Sequence, residues 1–380
     1  MSKLFPNAVM RTRAPYRFDI VGSFLRPDSL KQARRRCACG ECSLEEMHRV
    51  EDREIATLIA KEKAVGLPNV TDGEFRRTWW HLDFLFELLG VELAEAEEYS
   101  TKFQAHMHRP VTLKITDKIE FPNAHPFLAH FKALQEEAGG HPVKFTIPSP
   151  SMLHLITCVR TPNPQLIERY AGRNDLLLVD ITAAYVKAVN ALYDAGCRIL
   201  QLDDTSWGEF CSEEKRALYQ AQGVDVDATA RSYVKMLNDI RAAAPADMVL
   251  TMHVCRGNFR STWFSSGDYE PVAEILFGGC NVDGFFLEYD SDRAGSFKPL
   301  RFIKNQQVVL GLVTSKSGEL EDRDAVIGRI KEAAQYVDIN QLCLSPQCGF
   351  ASTEEGNVLI KYLDKELGSD RVKFITGIQY

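Results

Sequence analysis

Met248-Val249-Leu250-Thr251-Met252-His253-Val254-Cys255-Arg256-Gly257-Asn258 runs an apolar stretch straight into an imidazole and a thiol two positions apart. Side chains on a strand alternate between faces, so His253 and Cys255 leave a strand end on the same side. Other apolar runs end in the same way. The chain predicts strands at 18–23, 68–74, 143–148, 198–203, 248–255, 284–288, 308–313 and 341–344, with polar residues Ser23, Glu74, Asp203, His253, Cys255 and Glu288 at or near their ends. Cys348 follows the last strand in Ser345-Pro346-Gln347-Cys348. Helical patterns fall between them at 44–64, 176–195, 228–243, 269–276 and 323–336, and a last helix is expected at 354–366. Eight strands alternating with helices predict an α/β fold, a TIM (β/α)8 barrel, with its chemistry at the C-terminal strand ends. A doubly wound open sheet would carry a Gly-rich phosphate turn after its first strand, and none is present.

The stretch of about 75–141 is too long for a simple connection and reads as an insertion between the second and third strands. It mixes a helical 82–89 with an alternating Val111-Thr112-Leu113-Lys114-Ile115. Either it lies over the barrel mouth or it extends an oligomer contact, and a homodimer is compatible with the second. The expected organisation is one catalytic barrel over 1–380, with 1–17 as an N-terminal extension.

Composition narrows the partners. The 380 residues are 45% hydrophobic and 26% charged, with 45 basic against 52 acidic side chains and a net charge of −7. No long block of like charge interrupts them, which argues against nucleic acid or an anionic membrane as a partner. No run approaches the roughly 18 uninterrupted apolar residues of a membrane span. Met1-Ser2-Lys3-Leu4-Phe5-Pro6 lacks a signal-peptide pattern. The ten cysteines read as reduced thiols, and the expected location is the cytoplasm.

Judged alone, His253-Val254-Cys255 is ordinary strand packing, because cysteine is commonly buried as a small hydrophobe. Glu288 and Cys348 at equivalent strand ends reverse that balance. A carboxylate closing Gly284-Phe285-Phe286-Leu287 needs a partner. One nitrogen, two sulfurs and one oxygen suit Zn2+ better than magnesium or calcium. Two thiolates and a carboxylate leave such a centre near −1, poor at making hydroxide and suited to holding a further thiolate. Cys37-Ala38-Cys39-Gly40-Glu41-Cys42 has three close thiols but no evident fourth ligand, and is read as incidental.

These residues resemble the cobalamin-independent methionine synthase family, in its C-terminal catalytic barrel and its short single-barrel members. Val21-Gly22-Ser23-Phe24, Thr71-Asp72-Gly73-Glu74-Phe75-Arg76-Arg77, Leu200-Gln201-Leu202-Asp203, His253-Val254-Cys255, Glu288 and Ser345-Pro346-Gln347-Cys348-Gly349 carry the resemblance. It implies zinc-dependent transfer of a methyl group, from 5-methyltetrahydrofolate or a related donor, to the thiol of homocysteine. By the resemblance, His253, Cys255, Glu288 and Cys348 are the zinc ligands. Gly22 and Ser23 hold the amino-acid carboxylate, and Glu74 and Asp203 hold its ammonium group. Asp204 competes with Asp203, since either could cap the following helix while its neighbour binds ligand; strand alternation favours Asp203 for the ligand.

The chain departs from the family at two places. Where the family often has a histidine that protonates the departing folate, Thr314-Ser315-Lys316-Ser317 stands here, with Lys316 the nearest ionisable group. The tryptophan expected against the pterin after the third strand is not evident, which leaves Trp79, Trp80 or Trp207 for that place or for loop packing. An alternative function is zinc-dependent alkyl transfer to another thiol, as in epoxyalkane:coenzyme M transferases. Glu74 and Asp203 oppose it, because a sulfonate calls for Arg or Lys.

Overall fold

The computed structural model describes residues 5, 7–95, 111–161, 164–258, 263–317 and 319–351. Within these, β1 (Leu89–Glu95) and β2 (Val111–Glu120) pair as an antiparallel hairpin. A parallel sheet follows, formed by β3 (Lys144–Pro148), β4 (Ile199–Asp204), β5 (Val249–Val254), β6 (Gly284–Glu288), β7 (Gln307–Val313) and β8 (Leu342–Pro346). Its strand order is the chain order, and every residue of β3, β4, β5, β6 and β8 is buried. Strands covered on both faces read as near-continuous apolar runs, which is why these were recognisable.

Two further segments join the sheet edges. Phe18 bridges Leu344 of β8, Ser23 bridges Gly73, and Val70 bridges Val143 beside β3, all in parallel. Asp19 N donates to Leu344 O at 2.9 Å, and Lys144 N donates to Val70 O at 3.0 Å. Segments 18–23 and 70–73 therefore hold the first and second barrel positions, as expected, but through single bridges and not regular ladders. The reason is local. Gly22 has φ 145°, while Gly73 and Glu74 have φ 63° and 60°, so the backbone leaves the extended region at each strand end. A left-handed glutamate is strained, and it lies at the barrel mouth.

Helices Leu44–Ala64, Asn174–Asp194, Val226–Ala243, Glu270–Gly279 and Arg323–Ala333 correspond to the expected ones, while the helix expected at 354–366 lies outside the described residues. Ser43 and Glu46 form a reciprocal capping box on the first. Asn174–Asp194 is long and apolar enough to span a membrane by composition, with a mean hydropathy of 1.4. Its Leu177, Ile181, Tyr185, Ala188 and Leu192 are instead buried in the protein core. In the insertion, helix Leu82–Leu85 is shorter than expected because the chain turns into β1 at Leu89. The hairpin docks on the outside of the barrel, where Ile119 N donates to Tyr170 Oη and Tyr170 Oη donates to Asp180. Among the described residues of the insertion, Trp80 at its start lines the barrel mouth.

Alternate strand positions fill the barrel interior in tiers. Ile199 and Val249 pack with Ala14 near the strand N-termini, and Val21, Phe286, Val309 and Cys343 pack together above them. Between these tiers Lys144 Nζ lies 3.3 Å from Asp19 Oδ1 and 3.9 Å from the Phe286 ring centre, both charged groups fully buried. Burial pushes the Lys144 ammonium down, and Asp19 opposes that shift. Breaking such a pair strands a charge, which costs about 3–5 kcal/mol. Lys144→Met should lower unfolding stability by that order in urea titration, and adding Asp19→Asn should recover much of it.

A second buried acid positions the rim. Glu62 accepts from Thr71 N at 3.1 Å and lies 3.3 Å from Thr71 Oγ1, which itself donates to Gly22 O at 2.8 Å. With that hydroxyl proton committed to Gly22, a protonated Glu62 completes the chain, and burial pushes its carboxyl well above the ordinary range. A folded-state value above the unfolded one means the fold binds the extra proton, so stability falls as pH rises from about 4.3 through the raised value. Glu62→Gln should flatten that fall, giving a variant at least as stable as the parent at pH 8 in thermal unfolding.

Candidate metal centre

β5 carries His253 on its inner face and releases Cys255 just beyond its end; β6 ends on Glu288, and the turn after β8 brings Cys348 back. One donor atom from each lies within 4.8 Å of the others, and all four residues are buried. Among the described residues no other group of three or more such donors gathers in this way; Cys37, Cys39 and Cys42 lie apart at the end of helix Asp28–Ala38.

The imidazole is set by its neighbour. Phe286 O can only accept, so His253 Nδ1 donates to it, at 3.2 Å. That leaves Nε2 as the acceptor, buried and without a hydrogen-bond partner among the described residues. Cys255 and Cys348 Sγ stand 3.7 Å apart. Two sulfurs bound at about 2.3 Å to one tetrahedral ion would stand about 3.8 Å apart. The donor set and its spacing therefore fit a soft divalent metal. The hydrogen bond from Cys348 holds the Cys255 thiol well below its usual range, while Cys348 is pushed up in return. The pair thus shares one proton, which a bound cation would displace.

Glu288 is held on both oxygens. Oε1 accepts from Arg256 N at 3.0 Å and Asn258 Nδ2 at 2.7 Å, and Oε2 accepts from Arg293 Nη2 at 2.7 Å. Arg293 is braced in turn by Asp290 and Gln347. Asn258 Nδ2 also faces Cys255 Sγ at 3.4 Å. Groups behind the ligands orient them and tune their basicity. Asn258 and Arg293 were missed in the sequence, where Arg256-Gly257-Asn258 was the only nearby signal.

The same cleft continues past the donors to Ser23, Glu74, Asp203 and Trp80. Ser23 Oγ accepts from Ala351 N at 3.3 Å, and its carbonyl accepts from Phe350 N, tying the first strand end to the turn that follows Cys348. Gly22 stands one residue behind the lining, where a Cβ would come within 2.9 Å of the Thr146 methyl. Glu74 Oε1 accepts from Thr146 Oγ1 at 2.9 Å and pairs with Arg77 at 3.2 Å. Asp203 accepts from Gln201 Nε2 at 2.7 Å; burial, then the Glu74 charge, pushes its carboxyl up to about 7. Asp204, one residue before the helix N-cap Thr205, accepts from Ser206 N at 2.6 Å, while Asp203 faces the cleft.

Lys316 is placed differently. Its Nζ is buried near Glu288, Asp290 and Cys348, outside the cleft lining, and burial lowers its ammonium. Of the three candidate tryptophans, Trp80 lines the cleft, Trp79 packs half-buried on the core, and Trp207 is fully buried against Phe210 and Tyr233. His81, missed in the sequence, lies tilted against its neighbour Trp80 with ring centres 4.4 Å apart. Burial, reinforced by Arg160, lowers its imidazole to about 3.

The family described as "Cobalamin-independent synthase, Catalytic domain" matches residues 19–363. YxjH of Bacillus subtilis (strain 168), an uncharacterised protein, is 48% identical over 353 residues, covering 91% of this chain and 90% of its own. A putative vitamin-B12-independent methionine synthase from Listeria monocytogenes is 39% identical, with TM-score 0.75, over 97% of this chain and 98% of its own. A B12-independent methionine synthase from Shewanella sp. W3-18-1, solved in complex with selenomethionine, shares the fold with TM-score 0.69 at 16% identity, over 96% of each chain. With a catalytic-domain match over most of its length and close relatives spanning it end to end, the chain belongs to the cobalamin-independent methionine synthase family.

Proposed function

We propose that this chain is a zinc-dependent methyltransferase that methylates the thiol of homocysteine to methionine, with 5-methyltetrahydrofolate or a related compound as donor. One observation carries the reading. A four-donor cluster of mixed N, S and O ligands opens into the same cleft as a hydroxyl and two carboxylates. A zwitterionic thiol needs all three features at once. His253, Cys255, Glu288 and Cys348 would hold the zinc, whose chemistry when bound is to keep a substrate thiol ionised at neutral pH while leaving it nucleophilic.

The chain's own groups position the substrate. Ser23, with the Gly22 turn behind it, offers its hydroxyl and backbone to the amino-acid carboxylate. Asp203 and Glu74 accept from its ammonium, and that cation would draw the Asp203 carboxyl back below about 7 into its charged form. Fixing both ends aims the side-chain sulfur toward His253 and the two cysteines, and orientation of this kind supplies much of the rate. In the net reaction the thiol loses its proton, sulfur takes the methyl carbon, and the donor leaves with the bonding pair and is protonated. The selenomethionine complex of the Shewanella relative supports an amino-acid product of this shape. Glu74 and Asp203 oppose the sulfonate thiol of the alkyl-transfer alternative. Lys316 is electrostatically coupled to Glu288 and Cys348; we assign it to offsetting the anionic ligand set, and not to proton delivery.

Purified protein should carry about one zinc per chain and form methionine from homocysteine and 5-methyltetrahydrofolate, followed by mass spectrometry. Cys348→Ser should lose both. Asp203→Asn should retain zinc yet raise KM for homocysteine by about 10- to 100-fold, the loss of a charge-assisted hydrogen bond of roughly 1.5–3 kcal/mol. Zinc retained with full activity in Cys348→Ser would sink the assignment.

Lys316→Met tests the counter-charge directly. Zinc affinity, measured by competition with a chromogenic chelator, should rise, because the lost ammonium repels an incoming dication. At saturating zinc, kcat should stay within a few-fold of the parent. A collapse of kcat with unchanged affinity would return Lys316 to the role of acid.

A further inference from the structure

Cys37, Cys39 and Cys42 read as incidental in the sequence, but the fold gives two of them a common place. Helix Asp28–Ala38 closes at Cys39 in a turn that needs Gly40, whose φ is 73°. Glu41 N donates to Arg36 O at 2.8 Å and Gly40 N donates to Cys37 O at 3.0 Å, so the chain reverses and lays Cys42 back along the helix. There Cys42 Sγ donates to Ala33 O at 3.5 Å. Ala33 and Cys37 are four residues apart and share a helix face, which puts the Cys42 sulfur beside the Cys37 side chain. The two thiols interact directly, and both are partly open to solvent. The other cysteines are poor rivals for an oxidant. Cys197, Cys280 and Cys343 are buried, and burial pushes each thiol up to about 12. Cys255 and Cys348 belong to the metal centre. Thiols react as thiolates and only where they can be reached.

We propose that Cys37 and Cys42 are a modification site, a dithiol that hydrogen peroxide closes reversibly into a disulfide. One thiolate sulfur attacks the peroxide, the O–O bond breaks, and a sulfenic acid forms as hydroxide leaves and takes up the proton that thiol gave. The second sulfur attacks the first, the S–S bond forms, and the S–O bond breaks as water leaves with the second thiol's proton. Two thiols and one peroxide thus give one disulfide and two waters, the sulfurs oxidised and the peroxide reduced. A small dithiol reverses the bond by exchange. The bond staples helix Asp28–Ala38 to helix Leu44–Ala64, whose cap Ser43 directly follows Cys42. Both helices grip the turn that brings Glu74 to the cleft. Arg34 of the first donates to Phe75 O at 2.6 Å and Arg77 O at 2.8 Å, and Glu51 of the second pairs with Arg76 at 3.3 Å. The site thus acts on the scaffold behind the cleft and does not depend on the methyl-transfer reading.

The test treats the zinc-loaded full chain with stoichiometric hydrogen peroxide, blocks the remaining thiols and maps the peptides by mass spectrometry. Cleavage after Arg36 and Arg49 releases peptide 37–49 with all three cysteines. That peptide should lose two hydrogens and regain them with dithiothreitol. A further cut after Glu41 should leave its two halves joined. Cys39→Ser should keep the link, while Cys37→Ser and Cys42→Ser should abolish it. The pair should oxidise about tenfold faster than Cys158, a partly exposed thiol that burial raises. Oxidation should raise the unfolding temperature of the parent by roughly 1–4 °C and leave that of Cys42→Ser unchanged. No link, a link made through Cys39, or a rate no greater than that of Cys158 overturns the proposal. A linked chain whose unfolding temperature is unchanged or lowered overturns the staple.

Discussion

Two thiols and a carboxylate, confined with an imidazole so that one donor atom of each lies within 4.8 Å of the others, repel one another once deprotonated, and the upper rim of the barrel is organised around that constraint. All four residues are buried, so much of the anionic charge has to be met by protein. Asn258 donates toward both Glu288 and Cys255, Arg293 pairs with the other carboxylate oxygen, and Lys316 lies close by. Arg293 is itself fixed by Asp290 and Gln347, the latter next to Cys348 in sequence. Displacing any one of these groups would be felt by at least two donors. The site is therefore a property of four loops acting together and not of any one motif.

The parallel register extends this coupling sideways. Asp203 of β4 pairs in register with His253 of β5, which pairs with Phe286 of β6. One row across the sheet thus places the acid that faces the cleft, the imidazole, and the carbonyl that fixes its tautomer. The second barrel segment approaches from the other side with Glu74 in a left-handed conformation, supported by Arg77 and Thr146. Strain at that residue is the local cost of bringing a second carboxylate to a mouth already rich in negative charge.

Much of this was legible in the chain because the informative groups sit at strand ends. His253, Cys255 and Glu288 each close an apolar run, where strand alternation predicts their direction, and Cys348 comes two residues after the last strand. The choice of Asp203 for the cleft and the expected barrel order rest on the same periodicity. What escaped were contacts made between distant loops. Nothing local marks Arg293 as the partner of Glu288, or His81 as a neighbour of the cleft, since each depends on how separate turns fold back over the rim. The first two strands also read as longer than they are, because composition does not announce the positive φ values at Gly22, Gly73 and Glu74.

Ring closure has a consequence for when the site can exist. The fourth donor, Cys348, lies just after β8, and β8 is the strand whose pairing with residues 17–19 joins the two edges of the sheet. The turn after Cys348 is fastened to Ser23, more than three hundred residues earlier in the chain. A nascent chain emerging from the ribosome could present His253, Cys255 and Glu288, but the full coordination set awaits synthesis of the eighth strand and its return to the first. Metal acquisition is thereby made a checkpoint on completed assembly, and a truncated or misregistered barrel would have only an incomplete claim on the cell's metal supply.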